Sequence, residues 1–509
     1  MYLFGAFLKR ALKLANRLES SKLTAIENQQ LTLIKLLSKA GDTAFGHHYG
    51  FHEILLSPHV MDTFREKVPI HDYDKMHDEW WYRALQNEKN VAWKGKTQFF
   101  ALSSGTTGAA SKEIPVTKEM IKSIRRAGLR MFLNLTKYEV PADIYTKDML
   151  MLSGSADLQD KGGYFAGDLS GINVSNTPFW LRRSYKPGLE IAMINDWNAR
   201  IHEIAKNARK WDVGYIMGIP SWNKLMLEHI IDYHRVSNIH EVWPNLRVFV
   251  HGGASFDPYR KDFDAISGQQ LIYMDTYLAS EGFIAFQNRP DTTSMALLLN
   301  NGIFLEFIPF DDDHFDHDGN VIGHPRTLTI EAVTLNKDYA VLISTCSGAW
   351  RYLIGDVVRF TDLAKNEILI TGRTKHFLSI CGEHLSVGNM TDAIRNVQQL
   401  LNIHIPEFTA CGKRAGKYAV HHWHIGCDQP ADAAMVARVL DEQLQLLNDD
   451  YRTERSAVME APVVTVTPTH EFYRYLESKG KMGGQNKFPR VMKEGAYAEW
   501  EKFLTSYKL

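Results

Sequence analysis

Phe99-Phe100-Ala101-Leu102-Ser103-Ser104-Gly105-Thr106-Thr107-Gly108-Ala109-Ala110-Ser111-Lys112 joins an apolar run to a loop of small hydroxyl residues and glycines that ends in a lysine. Glycines let backbone amides curl around an anion, hydroxyls donate further hydrogen bonds, and Lys112 adds charge. The loop is therefore of phosphate-binding type, with a flexible turn as the bland alternative. It is not a Walker A loop, which needs Gly-Lys-Ser/Thr in direct succession; here three residues separate Gly108 from Lys112.

Working outward, four more stretches carry chemistry. In Tyr273-Met274-Asp275-Thr276-Tyr277-Leu278-Ala279-Ser280-Glu281-Gly282, an aromatic ring, a hydroxyl and a carboxylate could stack on a base, touch a phosphate and hold Mg²⁺. A strand followed by a helix cap at Ser280 explains the same letters. In Trp350-Arg351-Tyr352-Leu353-Ile354-Gly355-Asp356-Val357-Val358, an aspartate after a glycine turn suits both hydroxyls of a ribose, unless the glycine only makes a hairpin. Thr371-Gly372-Arg373-Thr374-Lys375-His376 follows a strand-like Ile368-Leu369-Ile370, and Gly483-Gly484-Gln485-Asn486-Lys487-Phe488-Pro489-Arg490 lies near the C-terminus. Arg373 and Lys487 are candidate phosphate ligands.

The 509 residues are 45% hydrophobic and 23% charged, with 58 basic against 59 acidic side chains. That balance suits a globular chain of several domains and excludes disorder as the main state. Near-neutrality argues against nucleic acid or an anionic membrane held by bulk charge. No apolar run approaches the length of a membrane span; Met295 to Phe310 is broken by Asn300, Asn301 and Glu306. Tyr2 to Leu8 lacks a basic leader and a cleavage site, so no signal peptide is expected. Cys346, Cys381, Cys411 and Cys427 are too scattered for a zinc site and suit reduced thiols in a cytoplasmic protein. Helical periodicity opens the chain (Phe4, Phe7, Leu8, Leu12, Ala15, Leu18, then Leu31, Leu33, Ile34, Leu36, Leu37). Short apolar runs alternate with helical stretches from about Asp148, so the fold class is α/β.

Taken in this order, the five stretches resemble the adenylate-forming superfamily. Within it the chain is most similar to the Gretchen Hagen family of acyl acid amido synthetases. Gly218-Ile219-Pro220-Ser221-Trp222, Trp243-Pro244-Asn245-Leu246, His251-Gly252-Gly253-Ala254 and Phe304-Leu305-Glu306-Phe307-Ile308-Pro309 extend the likeness, from about Phe64 to Lys487. Leu353-Ile354 departs from the commoner residues between Tyr352 and Gly355. The resemblance implies a large N-terminal domain (1–372) with β-sheets flanked by helices. It also implies a smaller, mobile α+β C-terminal domain (373–509) turning about a hinge near 371–375.

It implies ATP and Mg²⁺ as cofactors, and a small carboxylic acid and an amino acid as substrates. Ser103, Ser104, Gly105, Thr106, Thr107, Gly108 and Lys112 would cradle phosphates, and Gly253, Ala254 and Tyr277 would flank adenine. Asp356 would bind ribose, Ser280 would contact phosphate, and Glu281 would hold the metal. Arg373 would reach the ribose or α-phosphate, and Lys487 would stabilise the charge that builds on the α-phosphate. Two other activities share these letters: a ligase that passes the acyl group to a thiol such as coenzyme A, and a non-catalytic nucleotide-binding protein.

Overall fold

A computed structural model describes residues 23–103, 112–179, 181–253, 255–316, 319–375, 377–378, 383, 385–415, 418–483 and 486–506. The helix expected over Phe4 to Leu18 lies outside the described residues. So do Cys381 and six of the expected site residues, namely Ser104, Gly105, Thr106, Thr107, Gly108 and Ala254.

The second helical period forms α1 (Ala25–Ala40), started by a capping box between Thr24 and Glu27. Leu33, Leu36 and Leu37 turn inward, while Leu31 faces solvent. Gln29, on the inner face, bonds the carbonyls of Leu299 and Ile303. That contact seats α1 on the sheet beneath it.

The strand-like runs assemble into two sheets. A four-stranded sheet contains the hairpin β1 (Phe99–Ser103) and β2 (Lys112–Val116). An eleven-stranded sheet holds β3 (Asp148–Met151), β4 (Val213–Gly218), β5 (Val248–Gly252), β6 (Ile272–Ala279), β7 (Gly282–Phe286), β8 (Met295–Leu297), β9 (Ile303–Pro309), β10 (Asp338–Thr345), β11 (Tyr352–Asp362) and β12 (Glu367–Arg373). Its order is β9-β10-β11-β12-β8-β7-β6-β5-β4-β3, with the short strand Tyr185–Lys186 beyond β3. Strands β3 to β6 run parallel, and from β6 to β9 every pairing is antiparallel.

Helices α2 (Lys118–Asn134), α3 (Trp197–Asn207) and α4 (Pro220–His234) flank the sheets, giving the mixed α/β architecture expected. The apolar run Met295 to Phe310 is divided between β8 and β9, which is buried up to Ile308. Among the described residues no helix is long and apolar enough to cross a membrane.

After β12 the chain builds a smaller unit. α6, the helix Val387–Leu401, and the helix Ala433–Leu447 cover a three-stranded sheet of β13 (Glu407–Ala415), β14 (Tyr418–Gly426) and β15 (Val463–Thr467). The unit has its own core around Met390, Trp423 and Leu440. A second apolar cluster joins it to the larger unit: Trp197 and Trp222 pack with Phe472, Tyr473, Phe488 and Trp500. Cys346, Cys411 and Cys427 are buried free thiols.

Candidate functional site

The parallel strands end on one edge, and the sequence motifs converge there. In open α/β sheets the carboxyl ends of the strands form the ligand crevice, because chain reversals leave a cleft there. β4 ends in Gly218, β5 in Gly252, and β6 in the turn that carries Ser280 and Glu281. Gly252 is needed at its place. A methyl there would sit 2.5 Å from the Thr276 carbonyl oxygen. Gly253 comes next with φ +76°, a left-handed conformation that disfavours side chains.

The turn after β6 differs from the helix cap that its letters suggest. Ser280 does not cap a helix; Ser280 and Glu281 are the two-residue turn of a β-hairpin between β6 and β7. Both are buried, at 6% and 8% exposure. Gly355 likewise makes no turn: it sits inside the continuous strand β11 with φ +87°, and its carbonyl accepts from the Thr374 amide. This irregularity leaves Asp356 directly opposite Arg373 on β12.

Asp356 is the centre of the site. Its Oδ2 accepts from the Tyr277 hydroxyl at 2.6 Å, and its Oδ1 accepts from Arg373 Nε at 2.8 Å. Tyr277 is 5% exposed and its ring is part of the main apolar core, so its hydroxyl is tied to Asp356. Glu281 is pushed up to about 7 by burial and by the Asp356 charge, against the pull of Arg373 and Lys112. Tyr352, buried beside Glu281, is pushed well above 10, first by burial and then by that carboxylate.

Lys112 opposes Ser103 across the β1–β2 hairpin. Its ammonium lies 5.0 Å from the Tyr73 ring centre. Burial lowers its pKa, with Glu281 acting in the opposite sense.

Lys487 reaches the same place from the C-terminal unit. A methyl placed on Gly253 would lie 3.1 Å from Lys487 Nζ. The lysine retains solvent-exposed surface, yet protein packed around it displaces enough solvent to matter. That burial, with Arg373 nearby, lowers its pKa to about 8 despite Asp356. The loop bearing it is pinned from the larger unit, since Trp222 Nε1 donates to the Asn486 carbonyl at 2.8 Å.

The structure thus brings together Lys112, Gly253, Tyr277, Ser280, Glu281, Asp356, Arg373 and Lys487, with Ser103 at the end of β1. Tyr73 and Tyr352 were not singled out as site residues by sequence. Tyr352 stood inside a quoted motif; nothing marked Tyr73, which reaches Lys112 only through folding. Among the described residues no group of three His, Cys, Asp or Glu side chains is placed to hold a metal ion. Mg²⁺ commonly takes one or two carboxylates and completes its shell with other oxygens and water, a demand that the carboxylates of Glu281 and Asp356 could meet.

Three consecutive family models match the chain: GH3 family N-terminal domain over residues 14–203, GH3 family central domain over 296–370 and GH3 family C-terminal domain over 388–496. An indole-3-acetic acid-amido synthetase, GH3.8 of Oryza sativa subsp. indica, is 29% identical over 50% of this chain and 45% of its own. A jasmonoyl-L-amino acid synthetase, JAR4 of Nicotiana attenuata, is 24% identical over 65% of this chain and 66% of its own. The chain spans about half the length of most of the curated relatives it matches. Among solved structures, GH3.15 acyl acid amido synthetase superposes with a TM-score of 0.78 at 16% identity, covering 98% of this chain and 96% of that one. A 2-hydroxyisobutyryl-CoA ligase in the postadenylation state gives 0.59 at 12% identity, covering 94% and 91%.

Proposed function

Because the chain belongs to the GH3 family, we propose that it is an ATP-dependent acyl acid amido synthetase, working in the cytoplasm on a small carboxylic acid and an amino acid. The observation that carries this reading is the convergence of Asp356, Arg373 and Lys487 at the carboxyl edge of the parallel strands.

A free carboxylate resists amines because its leaving group would be oxide or hydroxide. Attachment of AMP supplies a far better one. In the first half-reaction a carboxylate oxygen attacks the α-phosphorus and pyrophosphate leaves. Negative charge grows on the α-phosphate, where Lys487 and Arg373 stabilise it most in the transition state. Asp356 holds the ribose hydroxyls and orients Arg373, Tyr277 and Gly253 flank the adenosine, and Ser280, Ser103 and Lys112 attend the phosphates. Ser104, Gly105, Thr106, Thr107, Gly108 and Ala254 complete the same roles. Glu281 would hold Mg²⁺, which supplies charge neutralisation on the phosphate oxygens when bound.

In the second half-reaction residues 373–509 turn about 371–375 and withdraw Lys487. The amine nitrogen attacks the acyl carbon, AMP departs with the bonding pair, and the amine loses a proton. The test is carboxylate-dependent exchange of labelled pyrophosphate into ATP over aromatic, indolic and fatty acids, followed by amino acids against coenzyme A as acceptors. Exchange followed by amide formation is expected. Exchange with thioester as the sole product would replace the acceptor assignment, and ATP binding without exchange would overturn the enzyme.

A further inference from the structure

Behind Gly253 the chain makes a short turn, Asp257–Tyr259, and enters α5 (Arg260–Ile266). Within six residues this segment touches three different parts of the C-terminal unit. Asp257 pairs with Arg395 of α6 at 2.8 Å, and Asp262 with His404 at 2.7 Å. Between them the Tyr259 hydroxyl donates to Glu407 Oε1, at the start of β13, at 2.5 Å.

Glu407 is a buried carboxylate, 3% exposed. Such a group is tolerated only when paired and hydrogen-bonded. Its partners within the C-terminal unit are Arg490, whose Nη1 donates to Oε2 at 2.7 Å, and Tyr473, whose hydroxyl donates to Oε1 at 3.2 Å. Arg490 stands three residues after Lys487. Its guanidinium lies 4.5 Å from the Phe408 ring centre, and its carbonyl accepts from the Ala410 amide at 2.9 Å. Glu407 and β13 therefore fix the peptide that carries Lys487, and Tyr259 fixes Glu407 to the larger unit.

We propose that Tyr259 and Glu407 are positioning residues for adenylation: their hydrogen bond holds the C-terminal unit in the orientation that delivers Lys487 to Gly253, and must break when that unit turns away. This rests on the adenylation reading above. The arrangement suits a reversible contact. On opening, Glu407 keeps Arg490 and Tyr473, so no buried charge is stranded; at Tyr259 the losses are its bond to Glu407 and a longer 3.5 Å contact from Arg490 Nη2, alongside the Asp262–His404 pair and the apolar packing around Trp222. A hydrogen bond to a charged group, as from Tyr259 to Glu407, biases an equilibrium about tenfold or somewhat more without locking it. The flanking pair Asp257–Arg395 is exposed and contributes little. Tyr259 also stands close to Gly253 in the chain, so Lys487 and the Tyr259 contact engage positions near each other in sequence.

The variant is Tyr259→Phe in the full chain, which deletes the hydroxyl and keeps the ring. Pyrophosphate exchange should fall about tenfold in kcat, while KM for ATP and the thermal midpoint stay near wild type. Amide formation from chemically supplied acyl-adenylate should be unchanged, because that step uses the turned orientation. Trypsin cleavage at Arg373 and Lys375 should be faster in the variant, a readout that needs no activity. Arg395→Gln serves as the control and should behave as wild type. Unchanged exchange and unchanged cleavage would overturn the proposal, as would both half-reactions falling together with the thermal midpoint. Wild-type protein without exchange, but with faster cleavage in the variant, would overturn the adenylation reading and leave the interdomain contact standing.

Discussion

Raising the pH should switch adenylation off through Lys487, and the size of the loss is set by its surroundings. The lysine's pKa is lowered to about 8, by burial first and by Arg373 second, with Asp356 opposing both. About nine-tenths of the ammonium is then charged at about pH 7 and about one-tenth at about pH 9. On the proposed mechanism only the charged form stabilises the α-phosphate, so kcat/KM for ATP should fall about tenfold across that interval. The profile of kcat reports the complex instead. A bound triphosphate favours the ammonium, so the descending limb in kcat should lie at higher pH than in kcat/KM.

The assay is pyrophosphate exchange at fixed ionic strength with subsaturating and saturating ATP. Two substitutions test the cause. Lys487→Arg keeps its charge throughout and should lose the limb while reacting more slowly. Arg373→Gln removes a neighbouring cation and should move the limb upward, whatever it does to the absolute rate. A wild-type kcat/KM that stays flat through this interval would refute the reasoning, as would a descending limb kept unchanged in Lys487→Arg.

Three further outcomes are expected. Gly253→Ala costs about 1–2 kcal/mol of left-handed strain and sets a methyl 3.1 Å from Lys487 Nζ, so exchange should fall about tenfold or more in a folded protein; full activity would break the proximity argument. Tyr277→Phe deletes the donor to Asp356 Oδ2, worth about 1.5–3 kcal/mol, and calorimetry should find ATP bound about tenfold more weakly; unchanged affinity would separate that bond from nucleotide binding. Glu306→Gln breaks a buried pair in which Arg351 Nε and Nη2 donate to the carboxylate. It should cost about 3–5 kcal/mol, read as a lower urea midpoint, and no shift would show the pair to be dispensable.

The motifs were legible because each is local. A loop rich in glycine and hydroxyls, or an aspartate after a glycine, announces its chemistry within ten residues. Their conformations were less legible. Ser280 reads as a helix cap by composition, but Gly282 at φ +153° and the pairing of β6 with β7 make a hairpin of the same letters. Gly355 reads as a turn, yet backbone pairing on both sides keeps it within β11. Contacts between distant segments left no local signal. Tyr259, Glu407 and Arg490 are scattered along the chain, and each alone reads as an ordinary tyrosine, surface acid or terminal base. Leu31 fits the helical period as well as Leu33 does, and only docking of α1 on the sheet decides which turns inward.

On the proposed mechanism, the charges at the site give the C-terminal unit a reason to leave once adenylation is complete. Lys487, Arg373 and Lys112 gather around Asp356 and a Glu281 whose carboxyl burial pushes upward. Lys487 and Arg373 repel each other, which is one reason the lysine holds its proton less tightly. A highly charged triphosphate screens that repulsion and draws the cations together. Loss of pyrophosphate leaves the acyl-adenylate with much less negative charge, and the repulsion returns with nothing to screen it. Opening is then resisted by the apolar packing around Trp222 and the bond from Tyr259 to Glu407. Pyrophosphate added back should therefore slow amide formation from acyl-adenylate even where reversal to ATP is blocked by omitting Mg²⁺. It would do so by holding Lys487 in. Inhibition that disappears in Lys487→Ala, with pyrophosphate still bound, would trace the effect to that ammonium. Equal inhibition in both proteins would trace it to simple blockage of the site.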